Sequence, residues 1–237
     1  MRHTTLIVAG LSVTAALSIP AHAQAPAPDP ALGQQIATSG APNVAACASC
    51  HGARGEGNAA SNFPRIAGQG SIYLARQLTA YASGARNNPI MSPIAKAMSP
   101  PQIAAVAAYY SALEAPSPQK PAARTADKVI QRGRQLANIG DESIGVQGCA
   151  NCHGPGGVGE PPSNPYLASQ YSGYLTTTLG EWKSGARKSD LSQMMNVVSK
   201  RLSDADIAAL SAYYAAQPAP PPAAKRENVA ARPAAPK

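Results

Sequence analysis

Cys47-Ala48-Ser49-Cys50-His51 and Cys149-Ala150-Asn151-Cys152-His153 are two copies of Cys-x-x-Cys-His, and between them they use all four cysteines of the 237-residue chain. The spacing is the attachment signature of c-type haem. Two thiols add across the two vinyl groups of one porphyrin, and the next residue offers an imidazole to the iron. The competing readings of four cysteines fare worse. A disulfide framework leaves the histidine after each pair unexplained. A thioredoxin-like Cys-x-x-Cys calls for a βαβ setting. A single zinc site calls for pairs about 15–20 residues apart, whereas these begin 102 residues apart (149 − 47).

Histidine and methionine usage narrows the iron chemistry. Of the four histidines, His3 and His22 lie in an N-terminal stretch that reads as a removable secretory signal, 1–23. It has a basic start at Arg2, an apolar run from Leu6 to Ile19, and Pro20-Ala21-His22-Ala23 at its end, with cleavage expected after Ala23. The apolar run is too short for a confident membrane span, and no later segment is apolar enough to be one. Export agrees with haem attachment, which takes place outside the cytoplasm in bacteria, so the periplasm is the expected location. The mature chain then holds only His51 and His153, which excludes bis-histidine ligation by this chain. The sixth ligand must be methionine, another donor or water. Mature methionines are Met91, Met98, Met194 and Met195, two after each motif.

The two halves repeat beyond the haem motifs. Ser61-Asn62-Phe63-Pro64-Arg65-Ile66-Ala67-Gly68-Gln69 corresponds, with one deletion, to Ser163-Asn164-Pro165-Tyr166-Leu167-Ala168-Ser169-Gln170. Ser83-Gly84-Ala85-Arg86 corresponds to Ser184-Gly185-Ala186-Arg187, and Ile103 to Tyr110 corresponds to Ile207 to Tyr214. So long a period means duplicated domains and not a solenoid. We read a first domain over 24–114, a linker over 115–125 whose prolines favour extended chain, a second domain over 126–217, and a disordered Pro/Ala-rich tail over 218–237.

The fold class is all-α, with about three main helices in each half around a covalent haem. The helices are expected near 30–39, 71–83 and 100–113, and again near 127–138, 172–183 and 204–216. Ile103, Val106, Tyr110 and Leu113 share one helical face, and Ser203 with Asp206 makes a capping-box-like start. One Phe and one Trp make a thin core, and a haem in each half would supply the missing apolar bulk. The formal charge of +8 is mild once Arg2 and the basic tail are set aside. It suits docking on acidic partner surfaces, and no dense basic patch interleaved with aromatics points to nucleic acid.

The terminal repeats assign the methionines. Met91 and Met195 lie the same 18 residues before Tyr109 and Tyr213 (109 − 91, 213 − 195). Met98 has Leu202 as its counterpart and Met194 has Ile90, so neither can be a ligand in both copies. Met91 and Met195 are the expected sixth ligands, with a one-residue slip between Met194 and Met195 left open. His/Met ligation raises the reduction potential and fills both axial sites. That favours electron carriage over peroxide or oxygen chemistry.

Around the iron, the Pro64 and Pro165 carbonyls are candidates to accept the second N–H of each histidine; a simple loop turn is the alternative reading of these prolines. Arg86 and Arg187 could pair with haem propionates or be ordinary surface cations. Tyr73, Tyr174, Tyr81 and Trp182 could line the haem edges, though they sit on helices at core spacing and ordinary packing is the favoured account.

Cys-x-x-Cys-His, then Asn-Phe-Pro-x-Ile-Ala-Gly-Gln, then a Met-containing loop and Ile-Ala-Ala-Val-Ala-Ala-Tyr-Tyr, resembles the di-haem class I cytochromes c of the c-four type. The resemblance covers roughly residues 30–217. It implies two covalent haem c groups, held by Cys47, Cys50, His51 and Met91 and by Cys149, Cys152, His153 and Met195. It implies an electron carrier and not an enzyme, often membrane-associated, working between a quinol-oxidising complex or dehydrogenase and a terminal oxidase or reductase. A cytochrome subunit of a dehydrogenase complex is the alternative. The second copy departs from the pattern by lacking the Phe and the Gly, which puts its local packing in question.

Overall fold

Asp29 starts the first helix by accepting the Ala31 and Leu32 N–H groups on its carboxylate, with Pro30 at the first helical position. In the computed structural model, which describes residues 27–114, 126–160, 163–190 and 192–225, this helix, α1, spans Pro30–Ser39. It is followed by α2 (Ala48–His51), α3 (Ser71–Ser83), α4 (Met91–Lys96) and α5 (Pro100–Ala112). The second half repeats the series as α6 (Asp127–Asn138), α7 (Ala150–His153), α8 (Ser172–Ser184), α9 (Met194–Arg201) and α10 (Asp204–Ala215). A short hairpin of β1 (Gly140–Asp141) and β2 (Val146–Gln147) precedes α7. The six main helices fall where the sequence places them. The sequence reading missed the short helices and the hairpin. The signal at 1–23 and the linker at 115–125 lie outside the described residues.

The last helix of each half carries a complete capping box, Ser99 with Gln102 and Ser203 with Asp206. Asp206 also takes the Arg132 guanidinium at 2.7 Å, and Arg132 reaches Asp141 at 2.7 Å. One arginine therefore ties α6, α10 and the hairpin together.

The first and last helices of each half cross at a glycine. A Cβ built on Gly33 would overlap the Ala105 carbonyl oxygen, and one on Gly133 would overlap that of Ala209. Ile36, Val106 and Tyr110 form the core beside the first crossing, and Leu136, Leu210 and Tyr214 the core beside the second. The obstruction in each case is backbone that cannot rotate away. Gly133→Ala should therefore cost about 3 kcal/mol, at the upper end of ordinary overpacking, read as a fall in denaturation midpoint. Gly180→Ala, where an added Cβ meets nothing, should be neutral or stabilising.

The tail differs from expectation over its first part. Residues 218–225 fold back on the first half, where the Ala223 N–H donates to the Gly68 carbonyl at 2.9 Å and Pro222 and Ala223 are buried. Solvated chain was expected from 218 onward. The prolines have no N–H to satisfy, so this strap can be buried against apolar surface with few hydrogen bonds. Residues 226–237 lie outside the described residues.

Candidate functional site

Each Cys-x-x-Cys-His forms one helical turn, and that explains its spacing. Cys47, with helical φ/ψ of −60° and −32°, begins α2, and Cys149 begins α7 in the same way. Residues i, i+3 and i+4 of a helix share a face, so both sulfurs and the imidazole are presented on one side. Glycine ends both turns at positive φ, Gly52 at 80° and Gly154 at 71°. The chain then doubles back, with the Gly57 N–H on the His51 carbonyl and the Gly159 N–H on the His153 carbonyl, both at 2.7 Å.

Both histidines are held by their second nitrogen. His51 Nδ1 lies 2.9 Å from the Pro64 carbonyl and His153 Nδ1 lies 2.8 Å from that of Pro165. A carbonyl can only accept, so Nδ1 carries the proton and Nε2 is left free as a ligand. Burial holds both imidazoles below the ordinary histidine pKa, with the carbonyl bond opposing it in part. The neutral form, which ligates metal, is thereby favoured. Burial likewise pushes the Cys47 and Cys149 thiols up.

One continuous cavity of about 1210 Å³ takes in both motifs, and Met91 and Met195 line it as well. Met98 is buried in the first core, while Met194 also borders the cavity but is 44% exposed.

Arg86 and Arg187 are not surface cations. Both are 3% exposed, and both donate to Gln77 Oε1. The Arg86 guanidinium lies 4.8 Å from the Tyr81 ring centroid and donates to the Tyr174 hydroxyl at 3.0 Å. Arg187 lies 4.2 Å from the Trp182 ring centroid and donates to Gln77. Glu181, 3.5 Å from Arg86, is the carboxylate paired with this cluster among the described residues. Burial alone would raise the Tyr174 phenol, but Arg86 and Arg187 outweigh it and hold it below the ordinary tyrosine value. Arg86 Nε and Arg187 Nη1 are buried without a hydrogen-bond partner among the described residues. Buried cations require anionic partners. Two orphaned donors on the wall of a cavity that also holds thiols and neutral imidazoles fit the carboxylates of a porphyrin. The aromatic residues expected to be plain packing are therefore part of this wall.

The sequence reading missed the residues that join the halves. The Tyr166 hydroxyl donates to the Ala67 carbonyl at 2.8 Å, and Arg65 donates to Ser169. Gln69 and Gln170 each cross to the other half. Two departures of the second copy, Tyr166 and Ser169, take part in this interface. Ser169 stands at φ 63° where the first copy has Gly68 at 73°, and its carbonyl receives Arg65.

A family model for cytochrome c matches residues 30–114 and again 130–216. The chain belongs to the cytochrome c family. It is a tandem member of the cytochrome c4 kind, binds two covalent haem c groups and transfers electrons. Cytochrome c4 of Pseudomonas aeruginosa is 33% identical over 75% of this chain and 86% of its own length. The "thiosulfate dehydrogenase electron acceptor" of Thiomonas intermedia is 43% identical over 76% of this chain and 82% of its own, and that of Stutzerimonas stutzeri 41% over 86% and 93%. Reduced cytochrome c4 from Pseudomonas stutzeri superposes with a TM-score of 0.69 at 29% identity, covering 80% of this cytochrome and 98% of that chain. A thiosulfate dehydrogenase from Marichromatium purpuratum superposes at 0.72 with 38% identity. This cytochrome spans only 40% of that longer chain.

Proposed function

We propose that this di-haem cytochrome is the periplasmic electron acceptor of a thiosulfate-oxidising dehydrogenase, from which it passes electrons to a terminal oxidase or reductase. The observation that carries the reading is the identity of 43% and 41% to two electron acceptors of that kind over most of their length, against 33% to cytochrome c4. Each haem supplies a one-electron Fe(III)/Fe(II) couple. The residues do the rest. Cys47 with Cys50, and Cys149 with Cys152, anchor the porphyrins. His51 and His153 present Nε2 because Pro64 and Pro165 hold the other nitrogen. Met91 and Met195 are proposed as the sixth ligands, soft donors that favour Fe(II) and raise the potential. Arg86 and Arg187, buried with unpartnered guanidinium nitrogens, would hold the propionates. One cavity lined by both motifs supports a reading in which two haems act in series.

The oxidised protein should be reduced by a thiosulfate dehydrogenase and thiosulfate in a stopped-flow mixer, taking up two electrons per chain. A single-domain c-type carrier serves as the control. Reduction no faster than that control would overturn the assignment of the donor. Cytochrome c4 relatives at 33% identity favour a second reading, a general respiratory carrier. It calls for equally fast reduction by a quinol-oxidising complex.

A further inference from the structure

Gln69 and Gln170 are each 4% exposed, and the side chain of each bonds across the domain boundary. Gln170 Oε1 accepts the Arg65 N–H at 3.0 Å while its Nε2 donates to the Arg65 carbonyl at 2.9 Å. Gln69 repeats the clasp in reverse. Its Oε1 accepts the Tyr166 N–H at 3.0 Å and its Nε2 donates to the Tyr166 carbonyl at 3.2 Å. The peptide that ends in the Arg65 N–H begins with the Pro64 carbonyl, which accepts from His51. The peptide that ends in the Tyr166 N–H begins with the Pro165 carbonyl, which accepts from His153. Each glutamine therefore grips, across the domain boundary, the peptide group that orients the other half's histidine.

We propose that Gln69 and Gln170 are positioning residues that act in trans, each setting the donor strength of the histidine in the opposite domain and so the reduction potential of the opposite haem. A peptide whose N–H is bonded to an amide oxygen is more strongly polarised, and its carbonyl becomes a better acceptor. Such cooperativity is worth roughly 10–30% per bond. A stronger bond from Nδ1–H makes the imidazole a stronger donor to iron, and second-shell partners of ligating histidines act in this direction. Stronger donation favours Fe(III), so each glutamine lowers the opposite potential. Both amides lie in the boundary, and separation of the halves would release both haems from this effect together. The inference rests on the haem sites and not on the identity of the electron donor.

The test uses the intact di-haem protein. Each haem's potential is followed through its own histidine resonances during redox titration, and the Nδ1–H signals of His51 and His153 are read in the reduced state. Gln170→Leu should raise the potential of the haem on Cys47 and Cys50 by about threefold in the Fe(II)/Fe(III) equilibrium, roughly 30 mV for a one-electron couple. The other haem should move much less. The His51 Nδ1–H should shift upfield and the His153 signal should stay. Gln69→Leu should do the reverse. Gln170→Glu keeps an acceptor facing the Arg65 N–H and should leave the potential at or below the parental value. Should the leucine variant fail to fold, Gln170→Asn, which cannot reach both backbone groups, should still give a smaller crossed rise. Equal shifts at both haems, a larger shift at the variant's own haem, no shift, or a rise in Gln170→Glu matching that of leucine would each overturn the proposal.

Discussion

Replacing Cys149 and Cys152 together by serine should leave one haem per chain and unfold the second half. The second core is built from Leu136, Val146, Leu175, Leu202, Ile207, Leu210, Tyr213 and Tyr214, and it borders a cavity that it does not itself fill. Divided evenly between two haems, the shared 1210 Å³ would give each about half. At roughly 24 cal/mol per Å³ of residual void, that space corresponds to on the order of 10 kcal/mol. Water entering the open cavity reduces the figure, yet a fraction of it rivals the ~5–15 kcal/mol that holds a whole domain. Intact mass should show the polypeptide plus one haem, and far-ultraviolet circular dichroism should lose about half the helix signal. The first half should stay folded, because its own core of Ile36, Val44, Met98, Val106 and Tyr110 is independent of the second. Its interface groups at Arg65 and Gln69 would turn to water. Full helicity in the one-haem variant would show that the polypeptide core suffices, and this account of the fold would fail.

Much of this was legible because it is local. A thiol pair and an imidazole at i, i+3 and i+4 need only one helical turn, and the six long helices carry caps and periodicity within their own sequence. The repeat then identified the equivalent positions. What escaped was long-range. Nothing around Arg86 distinguishes a buried cation from a solvated one, since its partners Tyr174 and Glu181 lie about 90 residues away in the other half. Tyr166 and Ser169 read as lapses from the repeat because the repeat was aligned within a domain, whereas their bonds run to Ala67 and Arg65 between domains. An asymmetric residue at a symmetric position was the available signal, and it marks the interface. The strap at 218–225 escaped for another reason. Proline-rich composition tells of missing N–H donors but not of a neighbouring surface that can take such a segment.

The methionines provide the second large effect. Met91→Ala and Met195→Ala should each remove about half of the weak near-infrared band that sulfur–iron charge transfer gives the oxidised protein, and the double variant should remove all of it. Each variant should also lower the potential of its own haem, since a thioether favours Fe(II) and water does not. The other two methionines sharpen the test by failing in different ways. Met98 sits 8% exposed in the first core. Met98→Ala should keep the band and cost about 2–5 kcal/mol as a core truncation. Met194 and its counterpart Ile90 are exposed to nearly the same degree, 44% and 46%, which is what equivalent non-ligand positions require. Met194→Ala should therefore change neither band nor stability appreciably. Side-chain anchors tie both loops at this point. The Met91 N–H donates to Asn88 Oδ1 at 2.9 Å and the Met195 N–H to Asp190 Oδ2 at 2.7 Å, equivalent bonds at the two proposed ligands. If Met194→Ala halves the band and Met195→Ala does not, the second loop is slipped by one residue in the haem-bound protein. Asp190→Ala would then be expected to leave the band untouched, whereas with Met195 as ligand it should weaken that half of the band by freeing the loop.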